Sequence, residues 1–272
     1  MAARFEGKVV AITGGSAGVG AACARAFARE GAKLVLAARG ADALEALARD
    51  LRPHPVITLT ADVASDEDCR RIVTAAEERF GALHVLVNNA GYNARGDFES
   101  LPASELARVI DVNLRSPIVM SRLALPLLRS SGGGAIVNVA SLAGRTPLPH
   151  AVVYSASKFG LRAFSLALNE ELRGTGVTVS VVSPGPLFTG FLLDNMDVAA
   201  DIVFSQPMRT AEQVAGAVLA CAADGTPERA LPRGSGALAT LGYLWPTLSR
   251  ALRPLLEAHG RRVKQKLRRQ PS

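Results

Sequence analysis

The stretch Val9-Val10-Ala11-Ile12-Thr13-Gly14-Gly15-Ser16-Ala17-Gly18-Val19-Gly20 decides the fold. Val9–Ile12 is continuously apolar, the pattern of a buried strand. Glycines follow at once. From Gly18 to Glu30 the sequence is helical, and Gly31 stops it. A strand that runs through glycines into a helix is the first half of a βα unit. Gly14 permits the tight turn, Gly18 lets a ligand phosphate approach the backbone, and Gly20 lets helix and strand pack closely. Ser16 and Val19 share that loop. The helix start offers free N–H groups and a positive dipole end, which suit a pyrophosphate. A glycine cluster alone is equally a structural turn. Its position straight after a buried N-terminal strand favours a dinucleotide site.

The same alternation continues along the chain. Strands are expected at Leu34–Ala38, Val56–Thr60, Leu83–Val87, Ala135–Ala140 and Val177–Val182. Helices are expected at Ala41–Leu51, Asp66–Phe80, Ser104–Arg129 and Val152–Arg173. Near-continuous apolar strands separated by helices imply a parallel sheet covered on both faces. Right-handed crossovers make it doubly wound, a Rossmann-type α/β fold. The expected organisation is one domain, residues 1–230, with a C-terminal helical extension over 231–272.

Composition agrees. The chain has 272 residues, 49% of them hydrophobic, enough for one large domain with a sizeable core. Its formal charge of +7 falls entirely within residues 249–272. There Arg250, Arg253, Arg261, Arg262, Lys264, Lys266, Arg268 and Arg269 face only Glu257. Such a tail can meet lipid or nucleic acid, and is more commonly a solvated end, the reading adopted here. Cys23, Cys69 and Cys221 are far apart and form no CxxC, so small core residues are expected rather than a disulfide or metal site. The four histidines are scattered, and no metal site can be argued. No presequence is visible before Lys8, and no apolar run reaches the length of a spanning helix. The expected compartment is the cytoplasm.

Two further features carry chemistry. The second strand ends Leu36-Ala37-Ala38-Arg39, without the carboxylate that would bond a ribose 2′-hydroxyl. A guanidinium there can pair with a 2′-phosphate, so NADP(H) is favoured over NAD(H). Tyr154 and Lys158, at i and i+4 near a helix start, share one face. An ammonium beside a phenol lowers its pKa and makes it a usable general acid or base. Ser141, after the fifth strand, can donate to a carbonyl oxygen.

These features together resemble the short-chain dehydrogenase/reductase family over about residues 5–225. The motifs are Thr13–Gly20 as TGxxxGxG, Asn88-Asn89-Ala90-Gly91, Asn113, Ser141, and Tyr154 with Lys158 thirteen and seventeen residues beyond Ser141. Pro184-Gly185-Pro186-Leu187-Phe188-Thr189 matches the family's PGxxxT segment. The resemblance implies that Tyr154 exchanges a proton with the substrate oxygen and that Ser141 positions that oxygen. Lys158 would lower the Tyr154 pKa and hold the nicotinamide ribose, and Asn113 would hold a water linked to Lys158. Asp62 and Val63 would flank the adenine, and Asn89, Ala90 and Gly91 would line the cofactor groove. Pro184, Leu187 and Thr189 would lie against the nicotinamide. The cofactor supplies the hydride to a carbonyl or accepts it from an alcohol.

The segment after the PG turn carries Phe188, Phe191, Leu192, Leu193, Met196, Ile202, Val203, Phe204 and Met208. An apolar lid over a hydrophobic substrate and a helix packed on its own core remain equally open. The C-terminus departs from the commonest family pattern and resembles the branch with extra amphipathic helices. A homodimer through the Ser104–Arg129 and Val152–Arg173 helices is expected, a tetramer being the family's other form. Weak contact of the Leu, Tyr243 and Trp245 region with a membrane surface is a further hypothesis. The rival reading is a non-catalytic NADP(H)-binding sensor on the same fold; retention of Ser141, Tyr154 and Lys158 argues against it. No aromatic platform or motif supports nucleic-acid binding.

Overall fold

A computed structural model describes residues 3–188 and 196–268. Seven strands form one parallel sheet: β1 (Val9–Thr13), β2 (Lys33–Ala38), β3 (Val56–Thr60), β4 (Val85–Asn88), β5 (Gly134–Val139), β6 (Val177–Pro184) and β7 (Glu228–Leu231). Their order is β3-β2-β1-β4-β5-β6-β7. Ile12 of β1 sits beside Leu36 of β2 and Val87 of β4, so β1 and β4 are neighbours. The chain winds outward from β1 in one direction and from β4 in the other. The loops leaving these two strands therefore part, and a crevice opens at their carboxyl ends.

Because side chains alternate along a strand, each continuous apolar run feeds two cores. Val10, Ile12, Leu34 and Leu36 join one core with helices α1 (Gly18–Arg29) and α7 (Ala211–Asp224). Val9, Ala11, Val35 and Ala37 join the other, with α3 (Asp66–Phe80) and α5 (Ser116–Ser130). The three cysteines are buried and free, as their spacing predicts. Helices α2 (Ala41–Asp50) and α6 (Val152–Glu171) also follow the sequence pattern closely.

Three differences have physical causes. The single helix expected over Ser104–Arg129 is α4 (Ala103–Ile110) and α5 joined by a π-helical turn, Asp111–Arg115. The backbone stays near helical angles, so the apolar periodicity runs through while the wider turn re-aims Asn113. Strand β7 carries no apolar alternation. It holds a sheet edge, half-buried, and Glu228 rather than a hydrophobic residue anchors it. The basic tail is not a free solvated end. It forms α9 (Pro246–Arg268), which follows α8 (Arg233–Leu244). Arg261 and Lys264 pair with Asp201, Lys264 Nζ donates to the Ala199 carbonyl at 2.8 Å, and Arg268 pairs with Asp197. Thr189, Phe191, Leu192 and Leu193 lie outside the described residues. Of the other lid candidates, Phe204 is fully buried, with Met196, Val203 and Met208 packed around it and α9 residues Val263 and Leu267. No helix among the described residues is long and apolar enough to cross a membrane.

Glu228 ties three parts of the fold together. Its carboxylate accepts from Arg162 Nε and a terminal N–H at 2.7 and 2.8 Å, and pairs with Arg145 at 2.7 Å. Arg145 in turn donates to the Gly236 carbonyl and Thr240 Oγ1 of α8. Burial alone would raise the Glu228 pKa, but the two guanidiniums overcome it and hold the carboxyl below its ordinary value of 4.5. A carboxyl so depressed stabilises the fold above that value and loses the contribution as pH falls through its lower folded value. Glu228→Gln, which strands two partly buried cations, is expected to cost roughly 3–5 kcal/mol. Thermal unfolding from pH 7 to pH 3 checks this: the variant should melt lower at pH 7, with the gap to wild type narrowing in acid.

Candidate functional site

Helix α1 begins without a side-chain cap at Ala17 and without an acidic residue in its first turn. Its first N–H groups thus face the crevice unclaimed by the helix's own residues. Gly14 and Gly18 have positive φ, 64° and 51°. A Cβ at Gly20 would collide with the Gly14 carbonyl oxygen, so only glycine lets the loop fold onto the helix. The loop is fixed from the β4 side. Thr13 Oγ1 accepts from Asn89 N at 3.0 Å and Ala90 N at 3.1 Å. The Asn89 amide donates to the carbonyls of Thr13 and Gly14 at 3.0 and 3.1 Å. This cradle fits a pyrophosphate: open backbone, free donors and no carboxylate.

One cleft of about 800 Å³ joins this loop to the other chemical groups. Gly14, Gly18, Val19, Asn89, Ala90 and Gly91 line one part; Ser141, Tyr154, Lys158, Pro184 and Leu187 line the next. Gly20 lies buried behind the loop, and Ser16 lines an adjoining groove between α1 and α2. Exposed Arg39 acts electrostatically on Asp62 and Tyr92, so those three side chains share a neighbourhood beyond the cleft. Asp62 is already committed. It accepts from Arg108 at 2.7 Å and from Ala64 N at 3.1 Å. Val63 is buried in the core, which leaves only its backbone toward a ligand.

Tyr154 and Lys158 are both buried, one helical turn apart. Burial raises the Tyr154 pKa, opposed by a hydrogen bond with Ser141 and by the positive charge of Arg95. Arg95 thus acts on the phenol, a cation that the sequence reading did not assign to it. Lys158 Nζ is 5.7 Å from the phenol ring centroid and donates to the Val139 carbonyl at 2.9 Å. Desolvation brings Lys158 down to about 8. Asn113, on the π turn, accepts from Tyr92 N at 2.8 Å and donates to the Tyr92 carbonyl and Ser157 Oγ. Both of its amide hydrogens are spent as a brace between the β4 loop and α6, so a water there would meet only its remaining acceptor capacity.

Sequence reasoning missed Arg95, Gln206 and the α8–α9 junction, where Tyr243, Pro246, Ser249, Arg250 and Arg253 line the same cleft. Arg95 had a signal: it stands four residues beyond Asn88–Gly91, on a loop leaving the carboxyl end of a central strand. The junction had none, because helices added after the sheet carry no positional rule.

A lysine whose folded pKa lies near 8, against 10.5 when unfolded, destabilises the ligand-free fold at neutral pH. Stability should rise as pH climbs from about 8 to 10.5 and the unfolded state alone keeps its proton. The difference is roughly 3 kcal/mol. Lys158→Met should remove that rise and melt higher at pH 7; pH-resolved calorimetry of both proteins measures it.

Comparison with known proteins matches residues 8–197 to a family described as short chain dehydrogenase. A ketoacyl reductase, HetN, of Nostoc sp. (strain PCC 7120) is 35% identical over 218 residues, covering 79% of this chain and 76% of the relative. A dehydrogenase/reductase SDR family protein 7-like from Anopheles gambiae is 36% identical over 200 residues, 71% of this chain and 63% of that one. A crystal structure of a metagenomic short-chain oxidoreductase in complex with NADP superposes with a TM-score of 0.72 at 29% identity, covering 84% of this chain and 97% of the other.

Proposed function

This chain belongs to the short-chain dehydrogenase/reductase family, NAD(P)-dependent enzymes acting on CH–OH and C=O groups, and from that premise we propose how its own residues divide the work. The reaction is reduction of a carbonyl with NADPH, or oxidation of the alcohol with NADP⁺. The bound dinucleotide supplies or accepts the hydride. Tyr154 gives the substrate oxygen its proton in reduction and takes it in oxidation. Ser141 holds that oxygen beside the phenol. Lys158 carries a mobile proton behind Tyr154 and would hold the nicotinamide ribose. Gly14, Gly18 and Val19 would hold the pyrophosphate, and Leu187 would hold the nicotinamide. The observation that carries this reading is the single cleft lined by the glycine loop and by Ser141, Tyr154 and Lys158 together. The same arrangement is wasted in a sensor. Arg39, exposed and without a nearby acid on its own strand end, supports the 2′-phosphate and hence NADP(H).

Two tests follow from one assay of NADPH consumption with a panel of apolar ketones and aldehydes. Tyr154→Phe should lose about 10²–10⁴-fold in kcat while keeping NADPH affinity. Arg39→Ala should weaken NADPH and leave NADH unchanged, by about tenfold or more for a lost charge-assisted pair. Undiminished turnover in the first variant overturns the proton role, and an unchanged cofactor ratio in the second overturns the NADP(H) preference.

The outer face of α8 and α9 extends the reading to a lipid surface. Leu238, Leu244, Trp245 and Leu255 are each more than 60% exposed. Arg250, Arg262 and Lys266 stand exposed among them without a carboxylate partner in the described residues. Apolar side chains flanked by unpaired cations complement an anionic bilayer, and the cleft opens beside them at Tyr243 and Arg250. Co-sedimentation with phosphatidylglycerol vesicles, but not with phosphatidylcholine vesicles, is expected, and Leu244→Glu with Trp245→Glu should abolish it. A dimer in light scattering that hides this face, with no vesicle binding, overturns it. The family commonly oligomerises, and pairing through the α4–α5 and α6 surfaces is compatible with a lipid-bound outer face.

A further inference from the structure

Arg95 is a half-buried cation that the proposed hydride transfer does not use. It lines the cleft with Tyr154, beside Thr146, Leu148 and Gln206. Its Nε is shielded from solvent and has no hydrogen-bond partner among the described residues, and no ion pair to its guanidinium occurs among them. Gln206 Oε1, on the same cleft wall, is likewise shielded and unpartnered. Desolvation presses the Arg95 pKa below its ordinary value, and only the phenol of Tyr154 opposes this. Other partly buried guanidiniums are matched: Arg145 and Arg162 share Glu228, and Arg108 holds Asp62. Arg209, whose Nε is also shielded and unpartnered, is not among the residues lining this cleft.

A guanidinium cannot shed its charge at any ordinary pH, so its burial has to be compensated by an acceptor. The cleft lining among the described residues contains no Asp or Glu, while Arg250 adds positive charge to it and Arg253 is paired with Glu257. Most of the remaining lining is aliphatic or proline. Among the described residues none supplies that acceptor, which leaves what enters the cleft to bring it.

We propose that Arg95 forms an oxygen-acceptor subsite that selects carbonyl substrates with an apolar body and a second, preferably anionic, oxygen group near the reacting carbon. Keto acids supply a carboxylate, and keto acyl esters or thioesters supply a carbonyl oxygen; the shared chemistry is a planar oxygen acceptor facing a fork of N–H donors. The apolar walls take the chain, and Ser141 with Tyr154 takes the oxygen to be reduced. The substrate class is therefore amphiphilic, a refinement of the purely apolar ligand that the lid sequence suggested. This proposal rests on the reductase reading of the cleft.

The test is binding of octanoate, methyl octanoate and 1-octanol to the NADP⁺-saturated protein by calorimetry. Wild type should bind octanoate at least about tenfold more tightly than 1-octanol, the worth of a hydrogen bond to a charged group. Arg95→Met should bring that preference to within about twofold and leave 1-octanol affinity unchanged; Arg95→Lys should keep part of it, since the charge stays and the fork goes. Arg95→Gln, which retains length and polarity, carries the same expectation as Arg95→Met and guards against a folding defect. Preference for both acid and ester, lost in the variants, supports the subsite with an acyl carbonyl as its natural source. Preference for the acid alone supports it with a carboxylate. Absence of any preference in wild type, or its survival in Arg95→Met, overturns it. So does a variant whose only change is the pH profile of turnover, which would confine Arg95 to aiding Tyr154. NADPH titration on the same samples separates the two readings: NADPH binding and ketone reduction without an acid preference sink only the subsite, whereas an acid preference without either sinks the reductase reading.

Discussion

Thr13, at the end of β1, holds the loop that leaves β4. Its hydroxyl accepts the N–H groups of Asn89 and Ala90, and the Asn89 amide returns two bonds to the carbonyls of Thr13 and Gly14. This reciprocal clasp spans the point where strand order reverses, the place at which neighbouring loops would otherwise separate freely. It fixes the glycine loop against the β4 loop. It thereby helps set the distance between the start of α1 and the side chains of Ser141 and Tyr154. Gly20 completes the arrangement by yielding the space that the Gly14 carbonyl occupies. Asn113 then carries the constraint onward: bonded to both backbone atoms of Tyr92 and to Ser157, it couples the same β4 loop to α6, which carries Tyr154 and Lys158. Backbone carbonyls and short side chains do this work, and none of it requires a buried charge.

Buried charges appear where chemistry is proposed. Lys158 keeps one backbone carbonyl as partner, and burial brings it to about 8, a value from which it can give or take a proton near neutral pH. Tyr154 is pushed the other way by the same burial, with Ser141 and Arg95 opposing. The two values are driven apart, so in the ligand-free fold the phenol keeps its proton while Lys158 is the group that can exchange one. Glu228 is the counterexample within the same fold: half-buried, it is held ionised by two guanidiniums and fastens β7, α6 and α8. Full pairing marks a structural charge here, and incomplete pairing marks a working one.

Much of this was legible beforehand. Period, breakers and glycine placement locate six strands and the dinucleotide loop because they report local steric rules that tertiary packing seldom overrides. Ser141, Tyr154, Lys158 and Asn89 were found as a set, and they do converge on one cleft. The reading failed where a residue's role depends on distant partners. The adenine role expected of Asp62 stands as a proposal, and the sequence did not show that Arg108, forty-six positions away, pairs with the same carboxylate. The basic tail looked solvated, yet Asp197 and Asp201 bind it. Edge strand β7 hid because its anchor is a salt bridge, not an apolar face. Arg95 was passed over because a single arginine in a loop has no pattern until its missing partner is visible.

That missing partner and the late helices belong to one design. The sheet and its loops supply a cofactor cradle common to the family, and they say little about the ligand. Discrimination has to come from parts outside that cradle, namely the Arg95 loop, the segment after β6 and the α8–α9 junction, all of which border the cleft. The α9 cations anchor the segment around Asp201, and that segment places Ile202, Val203 and Gln206 on the cleft wall. A change in the tail would therefore reach the ligand through this wall while leaving the cradle untouched. Charge that reads in sequence as a solvated appendage is, in the folded chain, part of the means by which the outer half of the cleft takes its shape.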